Sequence, residues 1–295
     1  MYMKKLKVGI IGTGNIGTDI LLKLERSKLL ECGIFAGHNP DSKGIKLAKS
    51  KGIPTTIESI NYIKENPSCC DIVFDATSAS IHRIHAPILK ELNKFTIDLT
   101  PSSIGTMCVP VINLDEALHS DNVNLITCGG QATTPIAYAI AQAHPNLKYL
   151  EVVATISSLS AGKGTRDNID EFTETTKDAL KKFVGVEKAK AIIILNPAEP
   201  PITMHNTIYT IIDNPNMELI RKNVYLMEKK IKEYVPGFSI VMEPTYENGR
   251  VTTTLQVVGL GDFLPKYSGN LDIITCAAIE IAEKYALKKL GINHG

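Results

Sequence analysis

The sequence has no tryptophan, no Cys-x-x-Cys pair and no apolar run near the ~20 residues needed to cross a bilayer. Its 32 basic and 31 acidic side chains leave a net charge of +1. These features argue against a membrane-spanning protein, against a zinc or disulfide scaffold, and against bulk attraction to nucleic acid or anionic lipid. The amino terminus also lacks an apolar segment of signal-peptide length, so we expect a cytoplasmic protein.

The composition is that of an ordinary globular protein, with 295 residues, 44% apolar and 21% charged. The length favours two domains. Short apolar runs, of which residues 6–11 and 30–36 are the first two predicted strands, alternate with helix-period stretches over the first 130 residues. This alternation predicts α/β structure with a Rossmann-type, doubly wound parallel sheet. Longer strand patterns then predict an α+β domain for substrate binding and dimerisation in residues 131–269. We expect the helix in residues 270–295 to return to the first domain.

A glycine-rich turn follows the first strand. Residues 12–17 read Gly-Thr-Gly-Asn-Ile-Gly, and this motif between a strand and a helix is typical of dinucleotide binding. The acidic residue that usually binds the ribose after the second strand is absent, because that strand is followed by His38, Asn39 and Pro40. We therefore predict NAD as the cofactor, with NADP left open, and we predict no metal site.

Cys128 is the candidate nucleophile. A strand is predicted over residues 123–127 and ends at the cysteine, and two glycines then lead into a helix. A thiol near a helix N-terminus is expected to have a lowered pKa, and a thiolate beside a nicotinamide suits aldehyde oxidation through a thioester. We interpret the other cysteines as small buried apolar residues; they are Cys32, Cys69, Cys70, Cys108 and Cys276.

Other polar groups carry weaker signals. Residues 158–168 form a glycine-rich loop that either closes over the cofactor or acyl group or is simply solvated. His82 and His85 lie three residues apart on one helix, and we expect surface or helix-cap roles for them. His205 follows a proline-rich loop and could titrate near neutral pH.

Motifs over nearly the whole chain resemble those of acylating, CoA-dependent acetaldehyde dehydrogenases, which end meta-cleavage pathways of aromatic degradation. The matching stretches are residues 7–19, 73–80, 97–101, 127–133, 160–162, 164–166, 168–176, 196–201, 264–265 and 269–273. The resemblance implies conversion of acetaldehyde, CoA and NAD⁺ to acetyl-CoA and NADH. It also implies a homodimer, or a heterotetramer with 4-hydroxy-2-oxovalerate aldolase.

The resemblance further assigns site residues. Cys128 corresponds to the cysteine that carries the acyl thioester. The implied cofactor-binding residues are Gly12, Thr13, Gly14, Asn15, Ile16, Ser160, Ala161, Gly162, Lys163, Gly164, Thr165, Arg166, Asp167, Asn168 and Asn270. Asn206 corresponds to a family aspartate thought to assist the cysteine.

Three departures from the family pattern matter. Asn206 cannot accept a proton as a base, although it can orient a group or donate to an oxyanion. His205 is its neighbour, but adjacent residues of an extended segment point in opposite directions. The usual Ile-Asp-Pro after the second strand is His38-Asn39-Pro40, and the segment between Pro244 and Gly259 is shorter than usual, which weakens the expectation of an aldolase partner.

Two alternative functions stay open. The first is a semialdehyde dehydrogenase relative that uses phosphate as the acyl acceptor, although the sequence has no extra basic pair dedicated to a phosphate. The second is a dinucleotide-binding module without catalysis. The asparagine at position 206 supports the module, whereas Cys128 in its glycine setting argues against it.

Overall fold

The computed structural model describes residues 5–162, 165–166 and 169–292. The chain forms two compact units. The first contains the chain up to Leu125 together with the part from Thr275 onward, and the second contains residues 126–274. In the described ranges, no helix is both long and apolar enough to cross a membrane.

A parallel sheet forms the centre of the first unit, with the strand order β3-β2-β1-β4-β5-β7-β6. Its strands are β1 (Leu6–Ile11), β2 (Leu30–Ala36), β3 (Thr55–Thr56), β4 (Ile72–Asp75), β5 (Phe95–Asp98), β6 (Thr106–Met107) and β7 (Asn122–Asn124). The helices between them are α1 (Asn15–Leu24), α2 (Lys43–Ser50), α3 (Ile60–Glu65), α4 (Ala79–Glu91) and α5 (Pro110–Ala117). The central strands are buried almost throughout, as a parallel sheet requires, and the predicted Rossmann-type class is confirmed.

The last helix of the chain, α9 (Gly269–Leu290), contributes its residues from Thr275 onward to this first unit. Its Glu283 carboxylate accepts a 2.6 Å hydrogen bond from the Ser27 hydroxyl. Tyr285 stacks on Phe95 of β5 with ring centroids 3.9 Å apart. The predicted return of this helix to the first unit is therefore confirmed.

The second unit contains a mixed sheet with the order β11-β12-β10-β8-β9, antiparallel except for the β8–β9 pair. The strands are β8 (Tyr149–Ser157), β9 (Ala189–Asn196), β10 (Met204–Ile211), β11 (Phe238–Glu247) and β12 (Arg250–Val257). The helices are α6 (Cys128–Ala143), α7 (Ile169–Val184) and α8 (Met217–Lys232). Buried and half-buried residues alternate along β8, β10 and β12, because the helices cover one face of the sheet.

The structure corrects the sequence prediction around β7. A strand was expected over residues 123–127, but β7 ends at Asn124. Ile126 has φ +64°, in the left-handed region that β-branched residues rarely adopt, and this conformation ends the strand before Thr127. The short strands β3 and β6 and the helices α3 and α5 were not predicted either.

Candidate active site

The glycine-rich turn has the close packing that its motif requires. Gly12 has φ +110°, and a methyl group on its Cα would lie 2.5 Å from the Ala76 carbonyl oxygen. A methyl group on Gly17 would lie 1.8 Å from the Gly12 oxygen, whereas one on Gly14 would have nothing within 4 Å. Gly14 is the N-cap of α1 and is exposed, so the start of this helix has open space where a phosphate could approach its N–H groups.

The neighbouring residues of the turn also have defined surroundings. The Thr13 hydroxyl accepts a 3.1 Å hydrogen bond from Ser42 at the start of α2. Asn15 is exposed and Ile16 is half-buried. Asn39, beyond the end of β2, accepts a 2.9 Å hydrogen bond from the Asp41 N–H through its Oδ1, which leaves the amide N–H₂ as a donor at its tip. A donor at this place suits either a ribose hydroxyl or a 2′-phosphate.

Cys128 is the first residue of α6 and not, as the sequence suggested, the last residue of a strand. Thr127 is the N-cap, and its hydroxyl accepts a 2.8 Å hydrogen bond from the Gly130 N–H. The Thr176 hydroxyl donates to the Phe172 carbonyl at 2.7 Å, and the Thr127 and Thr176 hydroxyls are 2.7 Å apart. Since each hydroxyl has one proton, Thr127 is the donor to Thr176.

The two glycines after Cys128 make room for packing. A methyl group on Gly129 would lie 2.8 Å from the Phe172 ring and 3.3 Å from Ala154 Cβ on β8. A methyl group on Gly130 would lie 2.7 Å from a methyl of Ile126. The start of α6 therefore packs closely on α7 and β8, and side chains at either glycine would displace the cysteine.

The pKa of the Cys128 thiol is raised to about 12, contrary to the expectation of a lowered value. Burial is the largest cause, and backbone N–H groups of Gly129 and Cys128 oppose it. Desolvation of the thiolate thus outweighs the stabilisation from the helix N-terminus. The thiol is protonated at neutral pH and needs a proton acceptor before it can react.

Asn206 lies on β10 with no exposed surface, and neither atom of its amide has a hydrogen-bond partner among the described residues. Its register partner on β8 is Ala154, so both side chains are on the same face of the sheet. Because Gly129 of α6 packs on Ala154, Asn206 belongs to the sheet face that α6 covers. An unpaired buried amide is costly, which makes it a candidate for contact with a ligand.

His205 belongs to the opposite, half-buried face of β10. Its Nδ1 is 2.9 Å from the Thr203 carbonyl oxygen, so Nδ1 carries the proton when the ring is neutral. This orientation does not favour His205 as the base for Cys128.

The remaining sequence-predicted residues of the second unit are described in part. Arg166 folds back on the loop, donating to the Ser158 and Ala161 carbonyls at 2.7 and 3.1 Å. Ser160 and Ala161 are buried, Gly162 is exposed and Thr165 is half-buried, whereas Lys163, Gly164, Asp167 and Asn168 lie outside the described residues. Asn270, at the start of α9, is 1% exposed, and its Oδ1 has no described hydrogen-bond partner.

Sequence reasoning missed a buried cluster in the first unit. His82 and His85 both contact Asp75 Oδ2 through their Nδ1 atoms, at 2.9 and 2.8 Å, so the predicted surface roles are wrong. Burial acts to lower the pKa of His82, but the hydrogen bond to Asp75 and the charges of Asp98 and Asp75 outweigh it, and the pKa is raised. The pKa of Asp75 is lowered, since the two histidines outweigh the effect of burial.

Comparison with known proteins identifies the class and then the family. Residues 7–118 match the family model described as "Semialdehyde dehydrogenase, NAD binding domain". Two aspartate semialdehyde dehydrogenase structures share the fold. The one from Vibrio cholerae has a TM-score of 0.62 at 14% identity and covers 97% of this chain and 99% of its own. The one from Candida albicans, solved with NADP, has a TM-score of 0.64 at 12% identity and covers 98% of this chain and 100% of its own. The protein is thus an oxidoreductase of the semialdehyde dehydrogenase fold with an NAD-binding domain.

The second comparison is narrower. Residues 128–265 match the model "Prokaryotic acetaldehyde dehydrogenase, dimerisation". The acetaldehyde dehydrogenase of Pectobacterium atrosepticum is 50% identical and that of Geobacillus stearothermophilus 51% identical, each over 98% of both chains. The chain belongs to the acetaldehyde dehydrogenase family, which confirms the resemblance drawn from the motifs.

Proposed function

We propose that the chain oxidises acetaldehyde, or another short aliphatic aldehyde, to its CoA thioester with reduction of NAD⁺. The observation that supports this proposal is the start of α6, where Cys128 is the first residue of a helix that packs on the sheet face holding the buried Asn206 amide, which has no partner among the described residues. A nucleophilic thiol and a buried hydrogen-bond donor are the two groups that addition to a carbonyl requires.

In the first step, the Cys128 sulfur loses its proton to solvent water and adds to the aldehyde carbon. Backbone N–H groups of Cys128 and Gly129 already lower the pKa of this thiol against the effect of burial, and they would stabilise the thiolate. The carbonyl oxygen becomes an oxyanion, and the Asn206 N–H₂ would donate to it. Asn206 acts here as a donor and not as a base, because an amide does not accept a proton at neutral pH.

In the second step, the aldehyde hydrogen leaves as hydride and a thioester on Cys128 results. Bound NAD⁺ would supply the hydride acceptor. The thiol of CoA then attacks the acyl carbon, the bond to Cys128 breaks, the proton of the CoA thiol passes to the Cys128 sulfur, and acetyl-CoA leaves. The same donors that held the first oxyanion would hold the second one.

The cofactor assignment is supported by two features. The open space at Gly14 and the close contacts at Gly12 and Gly17 fit a pyrophosphate at the start of α1. The buried, unpartnered Oδ1 of Asn270 is an acceptor that would suit a carboxamide N–H₂. The cofactor-binding role that the resemblance implies for the segment from Ser160 onward stays a prediction. NADP stays open, because no carboxylate follows β2 before Asp41.

A homodimer is the assembly we propose for the second unit, which matches a dimerisation model. The face of its sheet away from the helices is half-buried in the single chain and includes Thr155, Thr207 and Tyr209. Two isoleucines of the same sheet are exposed, Ile194 on the edge strand β9 and Ile211 on the central strand β10. Complex formation with an aldolase stays a prediction that copurification would test.

The deciding experiment follows NADH absorbance with acetaldehyde and NAD⁺, first with CoA, then with phosphate, then with neither. Steady turnover that requires CoA supports the proposal. Turnover with phosphate alone would favour a semialdehyde dehydrogenase type of reaction, and NAD binding without NADH would favour a module without catalysis.

The nucleophile is tested with Cys128→Ala, which should bind NAD but form no acyl enzyme. The matched control is Cys32→Ala, because Cys32 is also half-buried but lies on β2 of the first unit. Activity of Cys128→Ala within tenfold of the parent would exclude Cys128 as the nucleophile.

A further inference from the structure

Two adjacent cysteines form a thiol pair in the first unit. Cys69 ends a 3₁₀ turn over Pro67–Cys69, and Cys70 follows it just before β4. Their sulfur atoms are 3.8 Å apart, within hydrogen-bond range for sulfur. Cys69 is half-buried, whereas Cys70 is only 2% exposed. The pair therefore brings a half-buried cysteine into contact with a buried one.

Neighbouring strands leave room for this pair. A methyl group on Gly9 of β1 would lie 2.9 Å from the Cys70 sulfur, and one on Gly33 of β2 would lie 2.1 Å from the Cys69 carbonyl oxygen. Cys70 also belongs to a buried cluster that includes Ile11 and Val73, and Cys69 packs against that cluster. The positions of both cysteines are thus fixed by the sheet.

Two lysines, Lys94 and Lys7, act electrostatically on the Cys69 thiol. The Lys94 ammonium donates to the Cys70 carbonyl at 2.8 Å and to the Pro67 carbonyl, which holds the charge at the turn. The contact with Cys70 is the largest cause lowering the pKa of Cys69, with Lys94 and Lys7 also contributing against burial; the value falls from 9.0 to about 7. The pKa of Cys70 is raised by the same contact and by burial.

We propose that Cys69 and Cys70 form a peroxide-sensitive dithiol, in which Cys69 is the attacking thiolate and Cys70 the resolving thiol. The two sulfurs in contact and the unequal access to them carry this assignment. Redox-sensitive cysteines are accessible, ionised thiols beside a resolving thiol. The site is separate from the proposed aldehyde chemistry and does not depend on it.

The reaction balances with a peroxide as the only co-reactant. The Cys69 thiolate attacks one peroxide oxygen, the O–O bond breaks, hydroxide leaves, and a sulfenic acid forms. The Cys70 sulfur then attacks the Cys69 sulfur, the S–OH bond breaks, and the Cys70 proton leaves with the hydroxyl as water. Both sulfurs are oxidised to a disulfide, and one peroxide is reduced to two waters.

The disulfide would be labile. Its formation brings the sulfurs from 3.8 Å to about 2.05 Å across one peptide bond, where the Cα separation of ~3.8 Å is shorter than disulfides favour. Strained disulfides are readily reduced, so a dithiol reductant should restore both thiols.

The test is peptide mass analysis of the full chain after graded hydrogen peroxide and trypsin. Cleavage after Lys64 and Arg83 gives a peptide, residues 65–83, that contains these two cysteines and no other. The expected result is a loss of two hydrogens, reversed by dithiothreitol. A peptide that stays reduced, or that gains oxygens without a disulfide, would overturn the proposal.

Single variants test the two roles. Cys70→Ser should stop at the sulfenic acid, trapped on Cys69 by a 1,3-diketone, and Cys69→Ser should leave the Cys70 thiol unreacted. Reaction of Cys70 in the Cys69→Ser variant at the parental rate would contradict the assignment. Circular dichroism of each variant checks that the first unit is folded.

The pH profile of iodoacetamide labelling at Cys69 gives an independent measure. At pH 7 about half of this thiol should be ionised, against ~1% for a thiol with a pKa of 9.0. Lys94→Gln keeps hydrogen-bond donors but removes the charge, so the midpoint of Cys69 labelling should move to higher pH. Lys49→Gln is the control, because Lys49 is exposed on α2. An unchanged midpoint in Lys94→Gln would contradict the role of the ammonium.

Discussion

The hydroxyl of Thr127 provides the sharpest test of how the candidate nucleophile is held. Thr127→Val keeps the shape of the side chain but removes the acceptor of the Gly130 N–H and the donor to Thr176. Loss of an N-cap costs about 1 kcal/mol. Loss of the buried contact with Thr176 adds ~1 kcal/mol. We expect the second unit to lose about 1–3 kcal/mol of unfolding free energy.

Thermal unfolding followed by far-ultraviolet circular dichroism measures this change. Each kcal/mol lowers the Tm of a domain of this size by about 2–4 °C. Thr127→Ser is the matched control, because it keeps the hydroxyl and loses one buried methyl, worth ~0.8 kcal/mol. Thr176→Val should remove the contact between the hydroxyls and the Thr176 hydrogen bond to the Phe172 carbonyl, while the cap on Gly130 stays in place.

The proposed position of Cys128 makes a second readout possible. Thr127→Val should also slow acyl-enzyme formation, since the first turn of α6 carries both Cys128 and the N–H groups near its sulfur. A Tm equal to that of the parent would refute the reasoning about the cap. A lower Tm with unchanged acyl-enzyme formation would refute its link to the nucleophile.

Three further predictions follow. Because the hydrogen bond to Asp75 raises the pKa of His82, the protonated ring stabilises the folded state fully below its unfolded pKa, and this stabilisation is lost as pH rises through its folded pKa. Urea unfolding from about pH 6 to 9 should therefore show a fall in unfolding free energy in the parent but not in His82→Gln. The same dependence of unfolding free energy on pH in both proteins would contradict this prediction. Asn206→Asp places a carboxylate at a fully buried position, so kcat should rise with pH through a raised pKa; a flat profile would argue against proton transfer there. Gly14→Ala should weaken NAD binding about tenfold or more without lowering the Tm, whereas Gly17→Ala should lower both the NAD affinity and the Tm. A binding titration and thermal unfolding measure the two effects, and an equal loss of Tm in the two variants would contradict the open space at Gly14.

The periodicity of hydrophobic residues predicted much of the fold. The strands Leu6–Ile11 and Leu30–Ala36 have the predicted bounds, because each is an apolar run ended by a polar or glycine-rich turn. The two-residue strands β3 and β6 are too short for any periodicity, and they form only because neighbouring strands pair with them. The break at Ile126 was not predictable either, since isoleucine normally favours a strand.

Some features of the candidate site were also predictable from the sequence, and others were not. The position of Cys128 at the start of a helix nearly followed from the motif, but the pKa of its thiol did not, because burial depends on residues distant in sequence. The contact of Gly129 with Ala154, which brings Asn206 beside the helix, also requires the tertiary fold. The sequence-predicted role of each site residue stays a prediction for the experiments above.

The return of α9 to the first unit has a consequence for the order of folding during synthesis. Asp19 and Phe95 leave the ribosome early, but their partners Thr275 and Tyr285 are among the last residues made. Residues 126–274 are complete before those partners exist. The second unit is therefore complete while the first still lacks its closing residues, so a released chain that ends at Ile274 should contain a protease-resistant second unit and an unfinished first one.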